Sequence, residues 1–363
     1  MTSVYQREQP SYGLVPVGDL QLESGKVLKQ VVAKYEKVGN PEGPTILVVH
    51  ALTGNEQTVG TSNQPGWWRG LIGPDFYIDT NQYQVVTFNA LGGCHGSTGP
   101  QSMNPETGYP YRMEFPYFTI RDMVTFQKKA LNELGIHHLK AVIGGSLGGM
   151  QALEWGILYP SMVDHVIALA VTPYLNDFAI AFNRIGIDAI LYDPGWKNGH
   201  YENPKDVYGL TIARMAGMVT YRSGELFEER FQRNIRKEEK GEPPYFEVES
   251  YLHYQGEKLT SRFDPNSYVY LLQAMNSHDI GRGRGGYVHV LKNFVPRLTS
   301  ICFQGDLLYK GEVMEKSIQY VPHGNYVEVP TKFGHDGFLV EFEKWGPTIS
   351  NTLKSYVGGG EYR

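Results

Sequence analysis

The segment Lys140-Ala141-Val142-Ile143-Gly144-Gly145-Ser146-Leu147-Gly148-Gly149-Met150 constrains this chain more than any other. A short apolar run enters a Gly-x-Ser-x-Gly turn and continues into a helical pattern, Met150 to Leu158, which Pro160 ends. A strand that becomes a helix within so few residues forces the central residue into a strained backbone. Side chains two positions to either side would collide. Glycine at 144 and 148 removes them. The turn then presents the Ser146 hydroxyl at the carboxyl edge of a sheet, where the next helix aims its dipole and free N–H groups. A bare Gly-x-Ser-x-Gly is common by chance. The strand before it and the helix after it distinguish a candidate nucleophile from a glycine-rich turn.

Other apolar runs place that strand in a sheet. Thr45-Ile46-Leu47-Val48-Val49-His50, Gln84-Val85-Val86-Thr87-Phe88-Asn89 and Val166-Ile167-Ala168-Leu169-Ala170-Val171 are apolar on both faces, as strands buried in a parallel sheet are. Between the second run and the elbow, Thr119-Ile120-Arg121-Asp122 has capping-box spacing. Ile120, Met123, Val124, Leu131 and Leu134 follow at helical spacing, and Gly135 is the stop. Strand, helix, strand implies an α/β domain with right-handed crossovers.

After Pro173 the texture changes. Residues 174–294 lose the apolar strand runs and carry amphipathic stretches, Asp206 to Thr220 and Ser267 to Ser277, interrupted by a loop over 192–199. Strand signals return at Thr299–Gln304 and Tyr326–Val329. A length of 363 residues suits two domains, or one with an insertion. The pattern favours a core of residues 1–173 and 295–363 split by a helical insertion at 174–294.

Composition narrows the class. An aromatic content of 13% argues against disorder, and no apolar run approaches the length of a membrane span. A net charge of −5 without a long basic run disfavours nucleic acid. Cys94 and Cys302 cannot form a disulfide framework, and the N-terminus has no apolar signal region, so a reducing cytoplasmic setting is expected. No Cys, His or carboxylate spacing suggests a metal site.

A serine nucleophile needs a base and a group that orients the base. Asp306 follows the strand run ending at Gln304, and His335 lies in Phe333-Gly334-His335-Asp336-Gly337 after the last run. The order Ser146, Asp306, His335 is the order this type of elbow takes. His137, His138, His253, His278 and His289 precede the strand that should supply the base, and read as surface or core residues. Two N–H groups should form an oxyanion hole: Leu147, directly after the nucleophile, and Leu52, in the loop His50-Ala51-Leu52-Thr53-Gly54-Asn55. Gly281-Arg282-Gly283-Arg284-Gly285-Gly286 follows a helical pattern, so a dinucleotide reading is weak, and one short basic stretch is poor evidence for RNA. Pro65-Gly66-Trp67-Trp68 reads as loop packing near the site mouth. Cys94-His95 is a poor rival catalytic pair, because adjacent residues seldom orient suitably.

From about residue 15 to 355 the chain resembles the homoserine O-acetyltransferase family of the α/β-hydrolase superfamily. The likeness rests on His50-Ala51-Leu52-Thr53-Gly54, Pro65-Gly66-Trp67-Trp68 and Leu91-Gly92-Gly93-Cys94-His95-Gly96-Ser97-Thr98-Gly99-Pro100. It rests equally on Gly144 to Trp155, Thr220-Tyr221-Arg222-Ser223, Asn276-Ser277-His278-Asp279 and Gly334-His335-Asp336. The resemblance implies an α/β-hydrolase fold: a mostly parallel sheet flanked by helices, with a helical lid insertion. It also implies ping-pong acetyl transfer from acetyl-CoA, a co-substrate rather than a bound cofactor, to L-homoserine in methionine biosynthesis. Arg222 would clamp the substrate carboxylate and Asp336 its ammonium group, and the lid would assemble a homodimer. Relatives of the same architecture suggest a homoserine or serine O-succinyltransferase as alternative. A serine carboxylesterase is another, and a non-enzymatic binding module would predict an incomplete triad.

Overall fold

Strands form where the β-branched runs lie, and an antiparallel ribbon precedes them. A computed structural model describes residues 10–354. The N-terminal stretch read above as lacking a signal therefore lies, up to Gln9, outside the described residues. The strands of the main sheet are β1 (Ser11–Gln21), β2 (Val27–Gly39), β3 (Thr45–Val49), β4 (Gln84–Phe88), β5 (Leu139–Gly145), β6 (Val163–Leu169), β7 (Arg297–Phe303) and β8 (Gly324–Val329). Their order across the sheet is β1-β2-β4-β3-β5-β6-β7-β8. Pairing is antiparallel from β1 to β4 and parallel from β4 onward.

The period-2 alternation of side chains builds a layer on each face. Ile46, Val48, Ile143 and Leu169 point into a core with Trp68 and Trp345, while Leu47, Val49 and Val142 point into another with Met150 and Trp155. Helix α1 (Ile120–Glu133) covers the second face. Its capping box forms as the sequence predicts: the Thr119 side chain accepts from the Asp122 N–H, and Asp122 accepts from the Thr119 N–H. Helix α2 (Leu147–Leu158) starts directly at the elbow.

Between β6 and β7 the chain is mostly helical: α3 (Asp177–Leu191), α4 (Tyr208–Tyr221), α5 (Gly224–Phe231), α6 (Glu247–Thr260), α7 (Pro265–Asn276) and α8 (Tyr287–Lys292). A small ribbon, Ile235–Lys237 with Tyr245–Phe246, is the strand content of this stretch among the described residues. Helices α9 (Gly311–Ile318) and α10 (Phe342–Lys354) complete the core. No described helix is long and apolar enough to cross a membrane.

The glycine-rich basic segment has a structural use. Arg284 pairs with the buried Glu154 of α2 at 2.9 Å, Arg121 reaches the same carboxylate at 3.3 Å, and Arg282 pairs with Glu23 at 2.7 Å. Burial pushes the Glu154 pKa up, and the two arginines counter it. Replacing Arg284 by Met leaves that carboxylate underpaired, which should cost about 3 kcal/mol of stability near pH 8. The raised pKa lets Glu154 take up a proton as pH falls, so the loss, measured by denaturant unfolding, should shrink towards pH 5.

Candidate active site

The elbow is a tight backbone crossing. Ser146 adopts φ 58° and ψ −123°, outside the regions favoured by side-chain-bearing residues. Its N–H donates to the Leu169 carbonyl of β6 at 3.0 Å, and its carbonyl accepts from Met150 in the first turn of α2. A Cβ on Gly148 would stand 2.1 Å from the Val49 carbonyl oxygen, and one on Gly144 would stand 2.6 Å from the Gly148 backbone. Only glycine permits the strand and helix to approach so closely, which is why the motif has that spacing.

Asp306 and His335 come from the ends of β7 and β8. The Nε2 atom of His335 lies 2.9 Å from Ser146 Oγ, and Nδ1 lies 2.7 Å from Asp306 Oδ2. An ionised carboxylate only accepts, so Nδ1–H donates to Asp306 and the serine hydroxyl donates to Nε2. The other Asp306 oxygen accepts from the Leu308 and Tyr309 N–H groups at 2.8 and 3.0 Å. All the triad residues are buried. Trp68 donates its indole N–H to the Phe338 carbonyl at 2.9 Å, pinning the turn Gly334–Leu339 that carries His335.

Burial opposes a charged His335 imidazolium. The Asp306 carboxylate outweighs it by charge and hydrogen bond, with Asp336 adding, so the pKa is raised. Leu147 is the first residue of α2, and its N–H is among those a helix leaves without an intrahelical partner. Leu52 sits in the loop after β3 and, with Ala51 and Thr53, lines a cavity of about 250 Å³. Ser146, His335 and Asp336 open into the same cavity. Side chains of α3, α4 and α7 form its far wall, among them Phe182, Arg214, Tyr221 and Tyr268.

The structure brings Arg222 and Asp336 together, with Nε 3.3 Å from Oδ2, both lining the cavity. The Arg222 guanidinium also lies over the Tyr251 ring at 5.9 Å. Burial raises the Asp336 pKa, and Arg222, His335 and Arg214 pull it back. Sequence reasoning missed Arg214, whose guanidinium stands 5.5 Å from the Tyr221 ring centroid at the end of the same helix. It also missed Tyr309. Both sit in stretches without a motif, although the Asp-x-x-Tyr spacing at 306–309 does announce an amide closing on the aspartate.

The rival groups stay apart from this chemistry. Burial pushes the Cys94 thiol up to about 12 and the His95 imidazole down to about 4. His138 pairs with Asp164, and His278 bonds the Thr172 carbonyl.

Residues 44–342 match the model of the α/β hydrolase fold, and the elbow, triad and sheet order define the chain as a protein of that class. The homoserine O-acetyltransferase of Carboxydothermus hydrogenoformans is 44% identical, with 94% of each chain covered. The crystal structure of homoserine O-acetyltransferase from Bacillus anthracis superposes with a TM-score of 0.89 at 27% identity, covering 95% of this chain and 98% of that one. Esterase E22 matches with a TM-score of 0.87 at 25% identity, over 95% and 100% of the two chains. The chain belongs to the homoserine O-acetyltransferase family of α/β-hydrolase-fold enzymes.

The Asp306 carboxylate holds the His335 pKa above the ordinary imidazole value, so the neutral, basic form prevails only at higher pH than in a free histidine. Titration of His335 by NMR should give a midpoint above 6.5 in the wild type. Asp306→Asn should lower the midpoint from that of the wild type, because burial then loses its main opponent.

Proposed function

We propose that this enzyme transfers an acetyl group from acetyl-CoA to the hydroxyl of L-homoserine through an acetyl-Ser146 intermediate. The observation that carries this reading is a serine–histidine–aspartate relay opening into a cavity that holds a guanidinium and a carboxylate side by side. A free amino acid brings one group for each.

In the first half-reaction His335 takes the Ser146 proton as Oγ attacks the thioester carbonyl. The amides of Leu147 and Leu52 receive the negative charge on the carbonyl oxygen. The C–S bond breaks, and the thiol leaves with the proton from His335. In the second, His335 takes the proton of the homoserine hydroxyl, whose oxygen attacks the acetyl carbon. Ser146 then leaves and recovers its proton from His335. Arg222 holds the substrate carboxylate as a planar fork and Asp336 holds the ammonium. The two stand in contact, so the substrate's charged ends replace their mutual pairing.

The helices over 174–294 act as a lid that keeps bulk water from the acetyl ester, which a transferase must do to favour its acceptor. The exposed Tyr208, Ile212 and Val219 on α4 fit a homodimer formed through this insertion, in a cytoplasmic setting suited to methionine biosynthesis.

The likeness to an esterase favours hydrolysis as a second reading. Thiol release from acetyl-CoA separates them: transfer requires homoserine for turnover, whereas equal release without it would assign a hydrolase. Succinyl-CoA belongs in the same assay, because Arg214 adds a second cation to the cavity.

Ser146→Ala should abolish the acetyl mass increment seen after incubation with acetyl-CoA. A point charge cannot replace a bidentate fork, so Arg222→Lys should raise the KM for homoserine by about 10-fold or more. The rate of acetyl-enzyme formation should stay near that of the wild type.

A further inference from the structure

One residue touches every member of the triad without belonging to it. The backbone N–H of Tyr309 donates to Asp306 at 3.0 Å. Its ring packs against His335, with centroids 5.1 Å apart and planes tilted by 31°. Its hydroxyl neighbours Ser146, and the two side chains line the same cavity. Among the described residues, that hydroxyl meets no group with the distance and angle of a hydrogen bond, although it is fully buried.

Buried hydroxyls without partners are rare, because burial strips their hydration without replacing it. The neighbouring Ser146 Oγ is an uncharged hydroxyl at rest. During acyl transfer it gains negative charge twice: as it attacks the donor carbonyl and again as it leaves the acetyl group. A donor unsatisfied at rest and satisfied in the transition state is what differential stabilisation requires.

We propose that Tyr309 is a further catalytic residue, whose phenol O–H donates a hydrogen bond to Ser146 Oγ while that oxygen carries developing charge in both half-reactions. The assignment rests on the acetyl-Ser146 reading above. Tyr309 keeps its own proton throughout. In acylation the Ser146 proton passes to His335 and then to the departing thiolate. In the return step the acceptor's proton passes to His335 and then to Oγ as the C–Oγ bond breaks. Burial and the Asp306 charge both raise the phenol pKa above its ordinary value, so the group stays protonated and keeps a proton to donate. It supplements the Leu52 and Leu147 amides, which face the carbonyl oxygen rather than Oγ.

Tyr309→Phe removes the oxygen and keeps the ring that packs on His335. Rapid-quench mass spectrometry would follow acetyl-enzyme formation from acetyl-CoA, and its decay on adding homoserine. Both rates should fall by about 10- to 100-fold, the scale of a donor aimed at a developing oxyanion. The KM for homoserine should stay within about 2-fold of wild type, because the lost bond forms only in the transition state. The thermal midpoint should hold or rise, since the deleted oxygen has no partner in the resting fold. Rates within about 2-fold of wild type would overturn the assignment. So would a raised KM at unchanged kcat, which marks substrate binding, or a lowered midpoint with losses that vanish on cooling, which marks packing. A wild-type enzyme that forms no acetyl-enzyme would strike at the acyl-serine reading first, before any variant is compared.

Discussion

Ser146 can hold its left-handed backbone only because β5 and α2 are locked around it. Its N–H is held by β6, its carbonyl by α2, and the flanking glycines let α2 press against the end of β3. Strain of this kind persists where the surroundings over-determine it. The rest of the site follows from that lock. The hydroxyl is fixed in space, so the ends of β7 and β8 must bring Asp306 and His335 to it rather than the reverse. Trp68 and the paired amides of Leu308 and Tyr309 hold those ends in place.

Charge in the cavity is arranged with similar economy. Asp336 works against Arg222 and next to His335, so one carboxylate faces a guanidinium and an imidazole. Arg214 lies on the same helix as the residue that leads into Arg222, set against Tyr221. The helical stretch thus supplies cations and aromatic rings, and the sheet supplies the nucleophile and base. The cavity joins the two: its guanidinium groups come from the insertion, and its nucleophile and base come from the core.

Much of this was legible in the residues because each legible part is local. The elbow, the capping box at Thr119 and the late Asp306 and His335 each carry their signal within a few positions. The family resemblance added Arg222 and Asp336, which no spacing would have singled out. The ribbon of β1 and β2 went unread because it is an edge pair half open to solvent, with register shifts near Pro16 and Gly18 that break the alternation. Helix α3 went unread for a related reason: its buried residues are few, and exposed Phe178 and Ile185 blur the stripe. Tyr309 and Arg214 matter through neighbours remote in sequence, and a chain read in one dimension does not show neighbours.

The strand order carries one more consequence. The last two strands of the sheet, β7 and the edge strand β8, are made from chain that follows the whole insertion, and the acid and the base follow them. The elbow, its helix and the centre of the sheet come earlier in the chain and carry the nucleophile. Its partner imidazole comes only with residue 335 of 363. A chain stopped before that point therefore lacks the imidazole that takes the Ser146 hydroxyl's hydrogen bond. In chain order the triad is completed last, by the residues that follow the pairing of β8 along β7.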